Sequence, residues 1–141
     1  MTAIKTMMDR QSTSRSTALV WTLCIIGAAL LVTSASVHIY YYNLIYKNIA
    51  TIGNLFLVQI VASFILAVAL VVTRHVLVVL ASAGLMAGTV IGFILVRTGT
   101  LFGFHLPFTS GLAAFVLVVE VVAVVLLAAT ALIMIRPQAV R

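Results

Sequence analysis

Four stretches of this chain, at about 18–42, 53–73, 76–96 and 110–135, are almost wholly apolar, and none contains a proline. Each is long enough to cross a hydrocarbon core about 30 Å thick at about 1.5 Å per residue. Inside lipid the backbone finds no water to bond, so a spanning segment must be a helix or part of a closed barrel. The runs lack the alternating polar pattern of barrel strands, and they predict an all-α, four-helix transmembrane bundle. Composition agrees. Of the 141 residues 65% are hydrophobic and 7% charged, with mean hydropathy +1.33, against roughly one-quarter charged in soluble domains. The length leaves room for one small bundle and no separate soluble domain.

The flanks and connectors set the boundaries. Residues 1–17 are polar, with Lys5, Asp9, Arg10, Arg15 and a run of Ser and Thr; they read as an irregular tail or one lying at the headgroups. The membrane domain then covers 18–136, and 137–141 is a short second tail. A positive tail, an apolar run and the small residues Ser34-Ala35-Ser36 also outline a cleavable signal peptide. The apolar character continues past that point into Val37, Ile39 and the cluster Tyr40-Tyr41-Tyr42, so an uncleaved first helix ending in an interfacial aromatic belt is the preferred reading. Asn43 to Ile52 forms a connector, Arg74-His75 a very tight turn, and the loop 98–109 carries Gly99, Gly103 and Pro107, which suit turns.

Orientation follows from the basic residues. With the N-terminus cytoplasmic, the inner side holds Lys5, Arg10, Arg15, Arg74, Arg136 and Arg141, and the outer side only Lys47 and Arg97. That is a positive-inside bias, with both termini cytoplasmic and a multi-pass position in the cell membrane. The formal net charge of +6 is scattered, so it speaks of topology and contact with the lipid bilayer rather than of nucleic acid. A single cysteine, Cys24, excludes an intrachain disulfide, a CxxC pair and a cysteine-based zinc site; it reads as a small buried hydrophobe.

The polar exceptions inside the spans carry whatever chemistry there is. Glu120 is the only acid beyond position 9, and a carboxylate in hydrocarbon costs several kcal/mol unless it is paired or protonated. Counting along each span, Glu120 lies about 4 Å, Ser34 about 6 Å and Gln59 about 7 Å to the outer side of the midplane, with His38 near 12 Å and Arg97 near 16 Å. Helical spacing puts Gly27, Leu31, Ser34 and His38 on one face, Gln59, Ser63 and Leu66 on another, and Ala113, Val116, Glu120, Ala123 and Leu127 on a third. If those faces point inward, Gln59, Glu120 and His38 surround a small polar pocket open to the outside, and Ser34 and Arg97 complete the candidate polar site. Glu120 is then either an internal strut bonded to Gln59 and Ser34 or a group that handles a proton or cation. Arg97 most simply reaches to the headgroups. Gly84, Gly88 and Gly92 form a doubled small-xxx-small motif in the third span, which predicts close helix packing within the bundle or at a homo-oligomer seam.

Enzyme readings fail for want of residues: there is no HExxH, no phosphate-cradling loop, no paired carboxylates and no Ser/His/Asp set with an Asp in the membrane region. No cofactor or metal is expected, since only His38 with His105 could face each other across a haem, and His75 lies at the opposite face. Small multidrug exporters are similar in length and span number, but their membrane Glu lies in the first span and here it is in the fourth. The chain therefore reads as a non-enzymatic accessory or oligomeric subunit, partnered by copies of itself or another membrane protein. The alternative is a proton- or cation-coupled small transporter or channel built on Glu120.

The strings IATIGNLFLVQIVA (Ile49 to Ala62), RTGTLFGFH (Arg97 to His105) and LVVEVVAVVLL (Leu117 to Leu127) resemble small four-span bacterial membrane proteins of uncharacterised function. The resemblance covers most of residues 20–135. Its most distinctive part is the G-x-L-F-G-F loop at Gly99 to Phe104 followed by a Glu in the last span. In such proteins the loop often continues with an acidic residue, where this chain has His105 and Leu106. What the resemblance implies is the four-span architecture; it brings no activity with it.

Reporter fusions after Arg74 and after Arg141 are expected to read as cytoplasmic, and one after Lys47 as external. The intact mass of the mature protein should retain the first span; loss of about the first 36 residues would restore the signal-peptide reading.

Overall fold

The computed structural model describes residues 2–99, 101–105 and 110–136. The expected loop residues around Pro107 and the tail 137–141 lie outside the described residues. Four helices follow in order: α1 (Thr2–Leu44), α2 (Ala50–Thr73), α3 (Val76–Thr98) and α4 (Gly111–Ile135), with a short 3-10 turn at Tyr46–Asn48 between the first two. Thr17–Leu44 of α1 and the whole of the other three are each long and apolar enough to cross a membrane. The chain is thus a multi-pass integral membrane protein built as a four-helix bundle.

One expectation changes. Of the two readings of segment 1–17, an irregular tail or one lying at the headgroups, the first gives way to helix, because α1 runs unbroken from Thr2. Helix nucleation is the costly step, and the apolar span downstream supplies the nucleus, so each added polar residue needs only propagation. The other ends are set by local chemistry. Arg74 adopts the left-handed conformation (φ 48°) and its N–H bonds Leu70 O at 3.3 Å, closing α2. His75 Nδ1 accepts from Leu77 N at 3.2 Å and opens α3. Ser110 Oγ accepts from Ala113 N at 3.1 Å and caps α4, satisfying a donor that the helix itself leaves bare.

The helices stand in a square. α1 packs closely on α2 and α4, and α3 on α4, whereas α2 and α3 are the loosest neighbours and α1 scarcely touches α3 across the diagonal. Every residue of the expected α4 face, Ala113, Val116, Glu120, Ala123 and Leu127, is buried. Gly27 lets α1 approach α4 so closely that a Cβ there would meet Leu127 Cδ2 at 2.7 Å. The half of the bundle nearer the termini is filled, with Cys24, Leu31, Leu70, Val79, Met86, Ala123 and Leu127 in one buried cluster.

The glycines of α3 do not pack as the motif predicts for contact within the bundle. A Cβ at Gly84, Gly88 or Gly92 would meet nothing within 4 Å, because this face looks across the loose α2–α3 seam. The tight glycine is Gly53, where an added Cβ would sit 2.6 Å from Tyr46 O as the 3-10 turn folds back over the start of α2. Gly53→Ala should therefore lower the midpoint of thermal unfolding in mild detergent. Gly88→Ala should leave it unchanged or raise it, by up to about 0.5–1 kcal/mol of helix propensity. A drop in both would restore intrachain packing at Gly88.

Candidate functional site: a half-open intramembrane chamber

The loose seam opens a chamber of about 600 Å³ in the loop half of the bundle. Along α3 its wall runs from Gly84 to Val96, about 18 Å at 1.5 Å per residue. Lining residues on both sides of the seam are exposed, Val58 at 62% and Leu55 at 44% on α2, and Gly84 and Gly88 on α3, so the opening lies between α2 and α3. Towards the loops the wall is aromatic. Tyr46 stacks on Phe56 with centroids 4.4 Å apart and meets Phe104 edge-on at 5.5 Å, while His38 lies 5.0 Å from Phe56.

Phe104 reaches this position through a two-residue turn. Leu101 and Phe104 exchange backbone hydrogen bonds of 2.9 Å, with Phe102 (φ 52°) and Gly103 (φ 80°) both left-handed between them. Gly103 takes that conformation at little cost. Tyr41 and Ser110 hydroxyls bond each other and tie the end of α1 to the start of α4. Burial pushes the Tyr46 phenol above its ordinary range, and the nearby Tyr41 adds to the shift, so Tyr46 serves this wall as a neutral ring.

The polar end of the chamber is built on α1 and α4. Glu120 is 2% exposed and its Oε1 accepts from Ser34 Oγ at 2.8 Å. His38 Nδ1 lies 2.9 Å from Ser34 O, 3.4 Å from Ser34 Oγ and 3.9 Å from Glu120 Oε1. A carbonyl oxygen only accepts, so Nδ1 carries the ring proton. The Ser34 hydroxyl gives its own proton to the carboxyl and turns a lone pair towards that N–H. His38, Ser34 and Glu120 are therefore joined in a chain of hydrogen bonds. Thr89 of α3 lines the same chamber, and its hydroxyl donates to Met86 O at 2.7 Å.

Gln59 is placed differently from the expectation that it bonds Glu120. It is 5% exposed and lines the chamber, yet neither Nε2 nor Oε1 has a hydrogen-bond partner among the described residues. The physical reason is the square: α2 and α4 are diagonal partners, and the chamber separates them. Ser63, one turn further along, is also buried without a partner among the described residues. Arg97 is half-buried in the last turn of α3 and is not among the residues of the chamber wall. Eight residues, about 12 Å, separate it along the helix from Thr89, which is the polar side chain that α3 gives to the chamber wall. Spacing offered one signal for Thr89, the only polar side chain beside the glycine face of the third span. The aromatic wall had none, since it depends on how two loops fold over the bundle. The remaining histidines have local roles, His75 as the α3 cap and His105 donating from Nδ1 to Gly99 O at 2.8 Å.

No protein family, curated protein or solved structure matches the chain.

Glu120→Gln keeps an acceptor for Ser34 in the same shape and should leave thermal stability within about 1 kcal/mol of wild type. Glu120→Ala strands the Ser34 hydroxyl beside a new void and should cost about 1–3 kcal/mol. Unfolding midpoints in detergent check both. Equal losses in the two variants would contradict this account of the carboxyl.

Proposed function

We propose that the protein is a small proton- or cation-coupled transporter with Glu120 as the group that carries the charge. The observation that supports this reading best is the hydrogen-bonded path from His38 through Ser34 to a single buried carboxyl at the polar end of a chamber. A carboxyl buried in a membrane bundle is a functional group by default, because its burial is expensive. It also holds one positive charge at a time, either a proton or a cation, and that exclusivity is the minimum requirement for coupling. Passage to the far side requires the packed terminal half to part. The α2–α3 seam, where helix contact is loosest, is where the bundle opens at least cost. The cell membrane is the location that fits the charge bias of the connectors.

A second reading is a non-enzymatic accessory or oligomeric subunit. The open glycine face of α3 favours it, because among the described residues nothing lies within 4 Å of a Cβ added at Gly84, Gly88 or Gly92 and small residues four apart suit a second helix. Under that reading Gly88→Leu weakens assembly in mild detergent and Glu120→Gln is silent.

Purified protein in liposomes should dissipate an imposed proton or monovalent-cation gradient. Glu120→Gln should abolish the flux with the fold intact, and Ser34→Ala should slow it about 100-fold or more by breaking the path, the usual range for loss of a proton-transfer group. Absence of flux in wild-type liposomes under every imposed gradient would sink the transporter reading.

A further inference from the structure

The chamber contains two buried polar side chains that the rest of the protein leaves unfinished. Gln59 is 5% exposed and has both amide atoms unpartnered among the described residues. A buried amide without partners costs free energy, and this one has an acceptor and a donor to offer whatever lies against the wall. Glu120 is 2% exposed and has the Ser34 hydroxyl as its donor, while the nearest imidazole N–H is turned to a carbonyl at 2.9 Å. Among the described residues no Lys or Arg lines the chamber. Its polar end therefore offers acceptors and a negative site without a fixed cation, which repels anions and suits a ligand with N–H donors and positive charge.

The walls narrow the choice further. Tyr46, Phe56 and Phe104 form connected aromatic faces near the loops, where a cation moving towards Glu120 is attracted by ring quadrupoles. The glycine face of α3 is flat and has open space in front of it, so it takes an apolar body against bare backbone. The volume of about 600 Å³ lies within the roughly 300–1,000 Å³ of small-molecule sites. A partner's transmembrane helix has its backbone bonds closed internally, and with apolar side chains towards the seam it would leave Gln59 unpartnered. A lipid chain would fit but would leave Gln59 and Glu120 facing hydrocarbon.

We infer that the chamber is a binding site for a lipophilic organic amine entering sideways from the bilayer between α2 and α3. Its N–H groups lie on Glu120 and Gln59 Oε1, and its apolar body lies along the glycine face of α3. This deepens the transporter reading by naming the substrate class, and rests on it for the role of Glu120 in transport, though binding itself can be measured without flux.

The test uses the full chain in detergent and three fluorescent probes that share one apolar body: dansylcadaverine, its neutral N-acetyl derivative, and dansyl-aminohexanoate. The amine should bind saturably, and the neutral and anionic probes at least about 10-fold more weakly, as expected for loss of a charge-assisted bond. Glu120→Gln should reduce amine binding by a similar factor and remove the preference for amine over neutral probe. Gln59→Leu should weaken the amine, and Gly88→Leu, which has open space to occupy, should block all probes while thermal unfolding stays near wild type. Equal binding of amine and neutral probe, unchanged amine binding in Glu120→Gln, or unchanged probe binding in Gly88→Leu would each overturn the inference. Proton flux in liposomes without amine binding would overturn this inference and keep the transporter reading. Amine binding with the stated selectivity but no flux would do the reverse.

Discussion

Helices in a bilayer gain little from hiding apolar surface from one another, because the lipid tails around them are equally apolar. Close approach must come from shape, and shape here is supplied unequally. Between α1 and α4, Gly27 faces Leu127, and the small Ser34 lets its hydroxyl reach Glu120. Those small residues bring the two helices together. Between α2 and α3 the contact is loosest, and the small residues of α3 look onto open space. Three close seams and one loose one in the same square produce a chamber on one side and a filled core at one end.

The same asymmetry decides the fate of the polar groups. Ser34 and Glu120 lie on the close α1–α4 seam and reach each other at 2.8 Å, with His38 a helical turn away on α1. Gln59 lies across the loose side and reaches neither. A buried carboxyl is thus held by neighbours on α1, and a buried amide waits opposite it without a partner among the described residues. Polar burial of that kind is expensive in a medium without water. It is easier to understand in a chamber that admits a polar guest than in a bundle whose only task is to span the membrane.

The loops complete the arrangement. The 3-10 turn after α1 and the tight turn at Leu101–Phe104 deliver Tyr46 and Phe104 to each other over the chamber, and the Tyr41–Ser110 bond joins the helix ends beneath them. An aromatic layer at this level suits the membrane interface, where a ring has one apolar face and a polar edge. It also gives the loop end of the chamber a different surface from the opening towards lipid.

Much of the architecture was legible in the residues alone. Lipid forbids unsatisfied backbone, so apolar runs of spanning length without proline had to become helices, and their count follows directly. Period 3.6 then marked the buried faces of α1 and α4, and the rarity of acids drew attention to Glu120. The sequence did not determine which helices would be neighbours and how tightly they would meet. Gln59 and Ser34 lie at similar depth, yet only Ser34 bonds the carboxyl, because α1 is adjacent to α4 and α2 is diagonal to it. Gly84, Gly88 and Gly92 could equally have been a packing seam; in the folded chain they are the wall of a chamber. Spacing fixes a residue's height and face on its own helix, but distances between helices depend on the side chains of every seam at once, and that only the tertiary structure decided.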